Sequence, residues 1–405
     1  MLTDLADGGS SKRTPRPDAR GSAYAYDAGA QTRVWKSQRA AVHWVVTKGR
    51  DAPSLTSRDG DAVPDYVQRV GRAADRALAY FQRRGFRAPR DRRPDIYLQG
   101  LLDDEGVEGL AIGAFDAVGG AFVLVDSRFK ARRTKLNDLE RTVAHELFHL
   151  VQYEYVPSYR LPRWIAEGAA EAVAAAAVGN TQATYWEAVD RWLHSIDRSL
   201  FDEADRDCLR CYTGVFYWIN TLLETGGPPP LQRFYAKLGS EGLPPDVVGY
   251  LVLMQEALTE AGYPSLAMFF GNFARELFLS GVGLNVHREI VLETPSQRVA
   301  DTIAGMAINI VRIQVPPGTR ELLVGVVCEA SDSVLTAQLL IGRRLDGNRP
   351  RAIPVERTDR ESEPGKQIFY FRVAYADDWE RLNQTLIVAR TSSVSKAYEI
   401  TLSMS

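Results

Sequence analysis

Residues 137–171, NDLERTVAHELFHLVQYEYVPSYRLPRWIAEGAAE, restrict the fold more than any other part of this chain. Asn137 and Glu140 form an N-x-x-E helix start close to a capping box. Leu139, Val143, Leu147, Leu150 and Val151 then recur at helical spacing. The helix is expected to stop near Tyr155, because Val156-Pro157 and Leu161-Pro162 disfavour helix just before proline. Pro162 suits the first turn of a second helix. Running antiparallel to the first, this second helix would bring its carboxylates back past the histidines.

The polar residues of this pair carry chemistry. His145-Glu146-Leu147-Phe148-His149 is an H-E-x-x-H, and residues four apart lie on one helical face, so both imidazoles can reach one metal ion. Glu146 emerges beside them, placed to act on a metal-activated water. A zinc site needs a third protein ligand and an open position. At about 1.5 Å per residue, His149 sits ~9 Å before the turn and Glu167 ~8 Å after it, while Glu171, one turn on, is level with His145. Geometry alone allows either glutamate. The competing structural reading is an amphipathic helix whose histidines face solvent.

HELFH followed after seventeen residues by the glutamate of Trp164-Ile165-Ala166-Glu167-Gly168-Ala169 resembles the gluzincins. In those zinc peptidases the H-E-x-x-H is completed by a glutamate on the next helix, often within W-x-x-E-G-x-A. The resemblance implies Zn²⁺ held by His145, His149 and Glu167, with Glu146 as general base and Glu171 supporting a ligand histidine. The chain also resembles a family of secreted metalloproteases of myxobacteria and actinobacteria, over roughly residues 40–280. That likeness runs through D-x-D-x-x-P-D-Y-V at Asp59–Val67, a long helix over 64–85, strands at Asp95–Leu98 and Ala121–Asp126, HELFHLVQ, WIAEG and Tyr212-Thr-Gly-Val-Phe-Tyr-Trp218. In gluzincins the strand before the zinc helix is usually the sheet edge that takes up extended peptide, which implies that role for 121–126, with Gly119-Gly120 ahead of it; an ordinary core strand is the equal alternative. Tyr212, in a Tyr-x-Gly one residue short of the Tyr-x-x-Gly of the aminopeptidase branch, is the candidate oxyanion donor, with Tyr217 and Tyr153 as alternatives. No G-x-M-E-N precedes the zinc helix, which favours an endopeptidase acting on peptide or protein substrates. The contrasting reading is a non-catalytic protein of the same fold whose C-terminal domain carries the interaction. The intact Glu146 favours catalysis, because a binding relic has no chemical need for that acid.

Asp59, Asp61 and Asp65 stand at positions 1, 3 and 7 of an acidic loop, a candidate Ca²⁺ site. The preferred reading is a turn plus helix N-cap at Asp61 or Val63, with Asp65 favoured by the helix dipole. A net charge of −2 argues against a nucleic-acid binder. No apolar run approaches the ~18–20 residues of a membrane span. The family implies a secreted or cell-envelope protein, yet residues 1–30 are polar and lack an apolar signal core, so the cytoplasm stays open. Three cysteines are too few for a disulfide scaffold, although Cys208 and Cys211 are close enough in sequence to bond locally. Cys328 reads as a core thiol, and His43 and His194 as packed or surface histidines rather than ligands.

The chain is therefore expected to be α+β: a disordered or loosely attached leader over 1–33, then a zincin-like region over 34–180 with a mixed sheet and the zinc helices. Residues 181–290 carry helical periodicity broken by Gly and Pro and read as a helical subdomain, the far wall of a cleft. Residues 295–405 are short β-rich runs joined by turn residues, the pattern of a β-sandwich with a stabilising or adhesive role.

Overall fold

The computed structural model describes residues 15–19, 21–101, 108–113, 120–128, 138–157, 161–179, 196–199, 230–263, 265–279, 286–304, 307–329, 335–343, 351–354, 357–358, 365–375, 384–391 and 396–405. The fold is α+β. Contacts divide the chain into two compact units, Met1–Trp186 with Val215–Leu243, and Glu187–Gly214 with Pro244–Ser405. Of the span 181–290 foreseen as helical, the described helices fall in both units, Pro230–Glu241 in the first and Val247–Glu260 and Leu266–Leu279 in the second.

The first unit contains β1 (Thr32–Lys36), β2 (Ala41–Val45), α1 (Asp65–Arg83), β3 (Asp95–Gln99), β4 (Gly109–Ile112), β5 (Phe122–Asp126), α2 (Asp138–Tyr153), α3 (Arg163–Val178) and α4 (Pro230–Glu241). The five strands form one sheet in the order β1-β2-β3-β5-β4. β2, β3 and β5 run parallel, and β1 and β4 close the two sides antiparallel. The central strands are buried along nearly their whole length, as expected where both faces are covered. Tyr97, Phe122 and Leu124 of one face form a small core with Leu101 and Ile112, against which Tyr24, Tyr26 and Leu110 pack. By the alternation of a strand, Ile96, Leu98, Val123 and Val125, all fully buried, point to the opposite face.

Two expectations are corrected here. Strand β5 does not form the sheet edge, because β4 pairs along its open side, Gly109 opposite Val125 through Ile112 opposite Phe122. Four residues beginning with glycine carry too little alternation to read as a strand from sequence. The second half of the leader is also no loose tail. Arg16 Nη1 pairs with Asp95 Oδ2 at 2.7 Å, and Gln99 Nε2 donates to the Tyr24 carbonyl at 2.7 Å. Polar composition concealed that two tyrosines cover the sheet.

The second unit holds α5 (Val247–Glu260), α6 (Leu266–Leu279) and strands β6 (Arg288–Val291), β7 (Ser296–Ile303), β8 (Ala307–Gln314), β9 (Glu321–Glu329), β10 (Leu335–Arg343), β11 (Arg351–Pro354), β12 (Arg357–Thr358), β13 (Lys366–Ala374), β14 (Gln384–Arg390) and β15 (Lys396–Met404). These make two sheets, β11-β10-β14-β8-β6 and β12-β13-β9-β15-β7. Alternate residues share one core between them: Leu322, Val324 and Val326 of β9, Phe369, Phe371 and Val373 of β13, facing Val311 and Ile313 of β8 and Leu386 and Val388 of β14. That is a β-sandwich. Cys328 lies buried in its core. The first sheet buries its other face too, at Ile308, Ile310 and Ile387, and Gly271 of α6 packs so close that an added Cβ would sit 2.7 Å from Thr336 Oγ1.

Among the described residues, no helix is long and apolar enough to cross a membrane.

Candidate metal centre

Packing aims the site before any ligand is considered. Phe148, fully buried, meets Phe81, Phe86 and Tyr235 edge-on, with ring centroids 5.3, 5.1 and 6.1 Å apart. With Val143, Leu147 and Val151 also in the core, the face of α2 bearing His145 and His149 is left to α3. Arg69 of α1 clamps Glu140 through two bonds of 2.6 Å and fixes the first turn of α2 from the side away from the histidines. Pro162 leads into α3, and Gly179, in the left-handed region at φ 70°, ends it. Asn137, the expected cap of α2, lies outside the described residues.

The two helices bring His145, His149 and Glu167 together. His145 Nε2 lies 3.0 Å from His149 Nε2 and 3.1 Å from Glu167 Oε2, which is 3.5 Å from His149 Nε2. This triangle could hold a metal ion, and it stands alone as such a group of three or more among the described residues. Each remaining ring nitrogen faces an acceptor: His145 Nδ1 lies 3.0 Å from Glu171 Oε1, and His149 Nδ1 lies 2.8 Å from Gln152 Oε1. Of the two glutamates that spacing left open, Glu167 therefore joins the triangle and Glu171 backs His145.

The electrostatics follow from burial. Desolvation opposes a charge on either imidazole, but Glu171 and Glu167 around His145, and Glu167 beside His149, outweigh it and hold both above the ordinary histidine range. Glu167 is held far below the usual carboxylate range: burial opposes this, and the two histidines prevail. A cation held where the three atoms meet would supply positive charge there in place of protons.

Glu146, buried on the next face, is pushed up by desolvation despite both histidines. It packs against the edge strand, where a Cβ on Gly109 would stand 2.7 Å from its Cγ and 2.9 Å from Oε1. Glycine lets β4 approach the acid that closely. Sequence reasoning missed this contact, since Gly109 has no motif around it. It missed Arg141 too, buried with Nε 4.0 Å from Glu171 Oε2, and Tyr235 of α4, whose hydroxyl accepts from Gln152 Nε2 at 2.8 Å. Gln152 was within reach of pattern alone, as it stands one turn beyond His149 on the same face.

Of the other candidates, Tyr153 stacks against His149, centroids 6.2 Å apart and planes at 13°. Tyr212, Tyr217, His194, Cys208 and Cys211 lie outside the described residues. His43 bonds Asp95 at 2.8 Å and stacks on Tyr97. Asp59 and Asp61 converge on the Gln68 amide nitrogen at 3.2 and 2.9 Å, a donor where a cation would need acceptors. Asp65 turns to the Arg58 backbone N–H at 3.1 Å. The cap reading is also corrected: Pro64 is the N-cap of α1 with no side-chain cap, and Asp61 instead accepts from Val63 N in a tight turn before the helix.

No protein-family model matches the sequence, and no curated protein matches it. Solved structures that resemble part of it include PliG of Salmonella Typhimurium, a periplasmic lysozyme inhibitor of g-type lysozyme, at 14% identity and TM-score 0.18 over 29% of this chain and 98% of that one. The corresponding inhibitor of Aeromonas hydrophila gives 11% and 0.20 over 29% of this chain and 96% of its own. A mutant of the Escherichia coli inhibitor gives 12% and 0.18, over 30% and 100%.

Proposed function

We propose that this chain is a zinc-dependent peptidase of gluzincin type, with a zincin-like first unit, His145, His149 and Glu167 as metal ligands and Glu146 as general base. The observation that carries the reading is the triangle of ligand atoms, 3.0–3.5 Å on a side. Tetrahedral zinc with bonds of about 2.0–2.1 Å requires its ligand atoms about 3.3–3.4 Å apart. Two imidazole nitrogens and one carboxylate oxygen are also the donor set of catalytic zinc sites that keep a position open. Zinc so held lowers the pKa of water toward neutrality and polarises a substrate carbonyl.

The chain's own groups supply the rest. Burial raises the affinity of the Glu146 carboxylate for a proton, which suits it to take one from the attacking water and return it to the leaving nitrogen. Among the described residues its neighbour β4 ends the sheet with one side unpaired by another strand, and such an edge takes up an extended peptide by backbone hydrogen bonds. This orients a peptide beside the acid.

Metal analysis of the purified protein and a peptidase assay of Glu146→Gln beside wild type test the reading. Wild type is expected to hold one zinc per chain, and the variant to keep it while losing about 10²–10⁴-fold in rate. A wild type without zinc, or a variant as active as wild type, overturns it.

A further inference from the structure

We infer that Gln152 is the positioning residue that selects the metal-binding nitrogen of His149, an inference that rests on the proposed zinc site. Its side-chain amide is buried with every polar atom engaged. Nε2 donates to the Ala166 carbonyl at 2.8 Å and to the Tyr235 hydroxyl at 2.8 Å, and Oε1 faces His149 Nδ1 at 2.8 Å. The Tyr235 hydroxyl in turn lies 3.5 Å from the Ile165 carbonyl.

The direction of this network is forced by one atom. A backbone carbonyl can only accept, so the amide must present Nε2 to Ala166. Turning it over would set two acceptor oxygens face to face at that carbonyl and leave a buried nitrogen against His149. With the amide so fixed, Oε1 is all that His149 Nδ1 meets, and an amide oxygen can only accept. The neutral imidazole of His149 therefore carries its proton on Nδ1. The lone pair is left on Nε2, the atom 3.5 Å from Glu167 Oε2 and 3.0 Å from His145 Nε2. The two ligand histidines reach this state by different means. A carboxylate, Glu171, faces His145 Nδ1, whereas His149 depends on a neutral amide whose orientation is imposed by α3 and by Tyr235 of α4. The ligand set is thus tied to a residue of α4, far along the chain, without that residue touching the site.

The test is a zinc titration against a chelator of known affinity, for wild type, Gln152→Leu and Gln152→Glu, with ring-¹⁵N spectra of His149 in the zinc-loaded wild type. Gln152→Leu removes the acceptor and is expected to bind zinc about 10–100-fold more weakly. Gln152→Glu keeps an acceptor for Nδ1 but sets a second oxygen against the Ala166 carbonyl and loses the donor to Tyr235, so it is expected to melt lower than wild type while its zinc affinity stays close to wild type. A purely structural tie between helices would make the two variants fail alike. Equal losses in both, or none in Gln152→Leu, overturn the inference, as does a wild-type spectrum with the proton on Nε2. The spectrum stands even where a variant fails to fold. Wild type that binds no zinc overturns the functional reading itself, a result distinct from wild type that binds zinc with no dependence on Gln152.

Discussion

Replacing Gly109 by alanine tests how closely the edge strand and the acid are fitted. The added Cβ would lie 2.7 Å from Glu146 Cγ, 2.9 Å from Glu146 Oε1 and 2.9 Å from Thr142 Cγ2. Carbon atoms in comfortable contact stand about 3.5–4.0 Å apart, so the neighbours must retreat by more than roughly half an ångström. Gly109 is not in the left-handed region, and the cost is therefore steric. Thr142 is β-branched and stiff on α2, which leaves Glu146 or β4 to move. Overpacking of this kind costs about 1–3 kcal/mol. For a unit of this size that lowers the melting temperature by about 2–4 °C per kcal/mol. The three nearest atoms belong to Glu146 and Thr142 and to no ligand, so zinc affinity is expected to hold. Peptidase activity is expected to fall by about 10²-fold if the acid is displaced by an ångström. Thermal denaturation, zinc titration and a peptide-hydrolysis assay on one preparation separate these effects. A variant that melts and cleaves like wild type would refute the close approach of β4 to Glu146.

Glu167→Ala removes a ligand and should weaken zinc binding by more than the ~10–100-fold expected for an outer partner, as measured by equilibrium dialysis. Phe148→Ala empties the junction with Phe81, Phe86 and Tyr235 and should cost about 3–5 kcal/mol by denaturant titration; a loss within error of zero would contradict that packing. Arg16→Ala should cost up to about 1 kcal/mol at neutral pH. Burial opposes the Asp95 charge, but the His43 bond and Arg16 outweigh it and hold the carboxyl below its ordinary value. A depressed carboxyl contributes stability above the unfolded value of about 3.9, and that contribution is lost as pH falls through the lower folded value. The gap between Arg16→Ala and wild type should therefore close below about pH 4, and a gap that persists in strong acid would refute the pairing.

How much was legible depended on how local each signal was. The two-helix motif was readable because its prolines, apolar spacing and histidines all act within one or two turns. The sandwich strands were readable from alternation, and the core residues of β9 and β13 fall at every second position. Edge strand β4 was not, since four residues with a leading glycine give neither period nor length. The seating of residues 15–31 depends on Asp95 and Gln99, which are distant in sequence. Tyr235 reaches Gln152 across 83 positions, and no local pattern announces such a bond.

The outer contacts of the triangle also couple it to the helix packing. Glu171 of α3 reaches back to His145 of α2, and Gln152 of α2 holds His149 while gripping the Ala166 carbonyl of α3. The groups that surround the ligand histidines thus also join the two helices, through the Glu171–His145 ion-pair distance and the Gln152 bond to Ala166. Three charged or polarised groups crowd one buried point, a costly arrangement when no positive charge sits between them. A cation bound there stabilises the helix pair by its own binding free energy. Chelation should consequently lower the melting temperature of the first unit and leave that of the second unchanged, and a uniform shift, or none, would break the proposed link between zinc and the two helices.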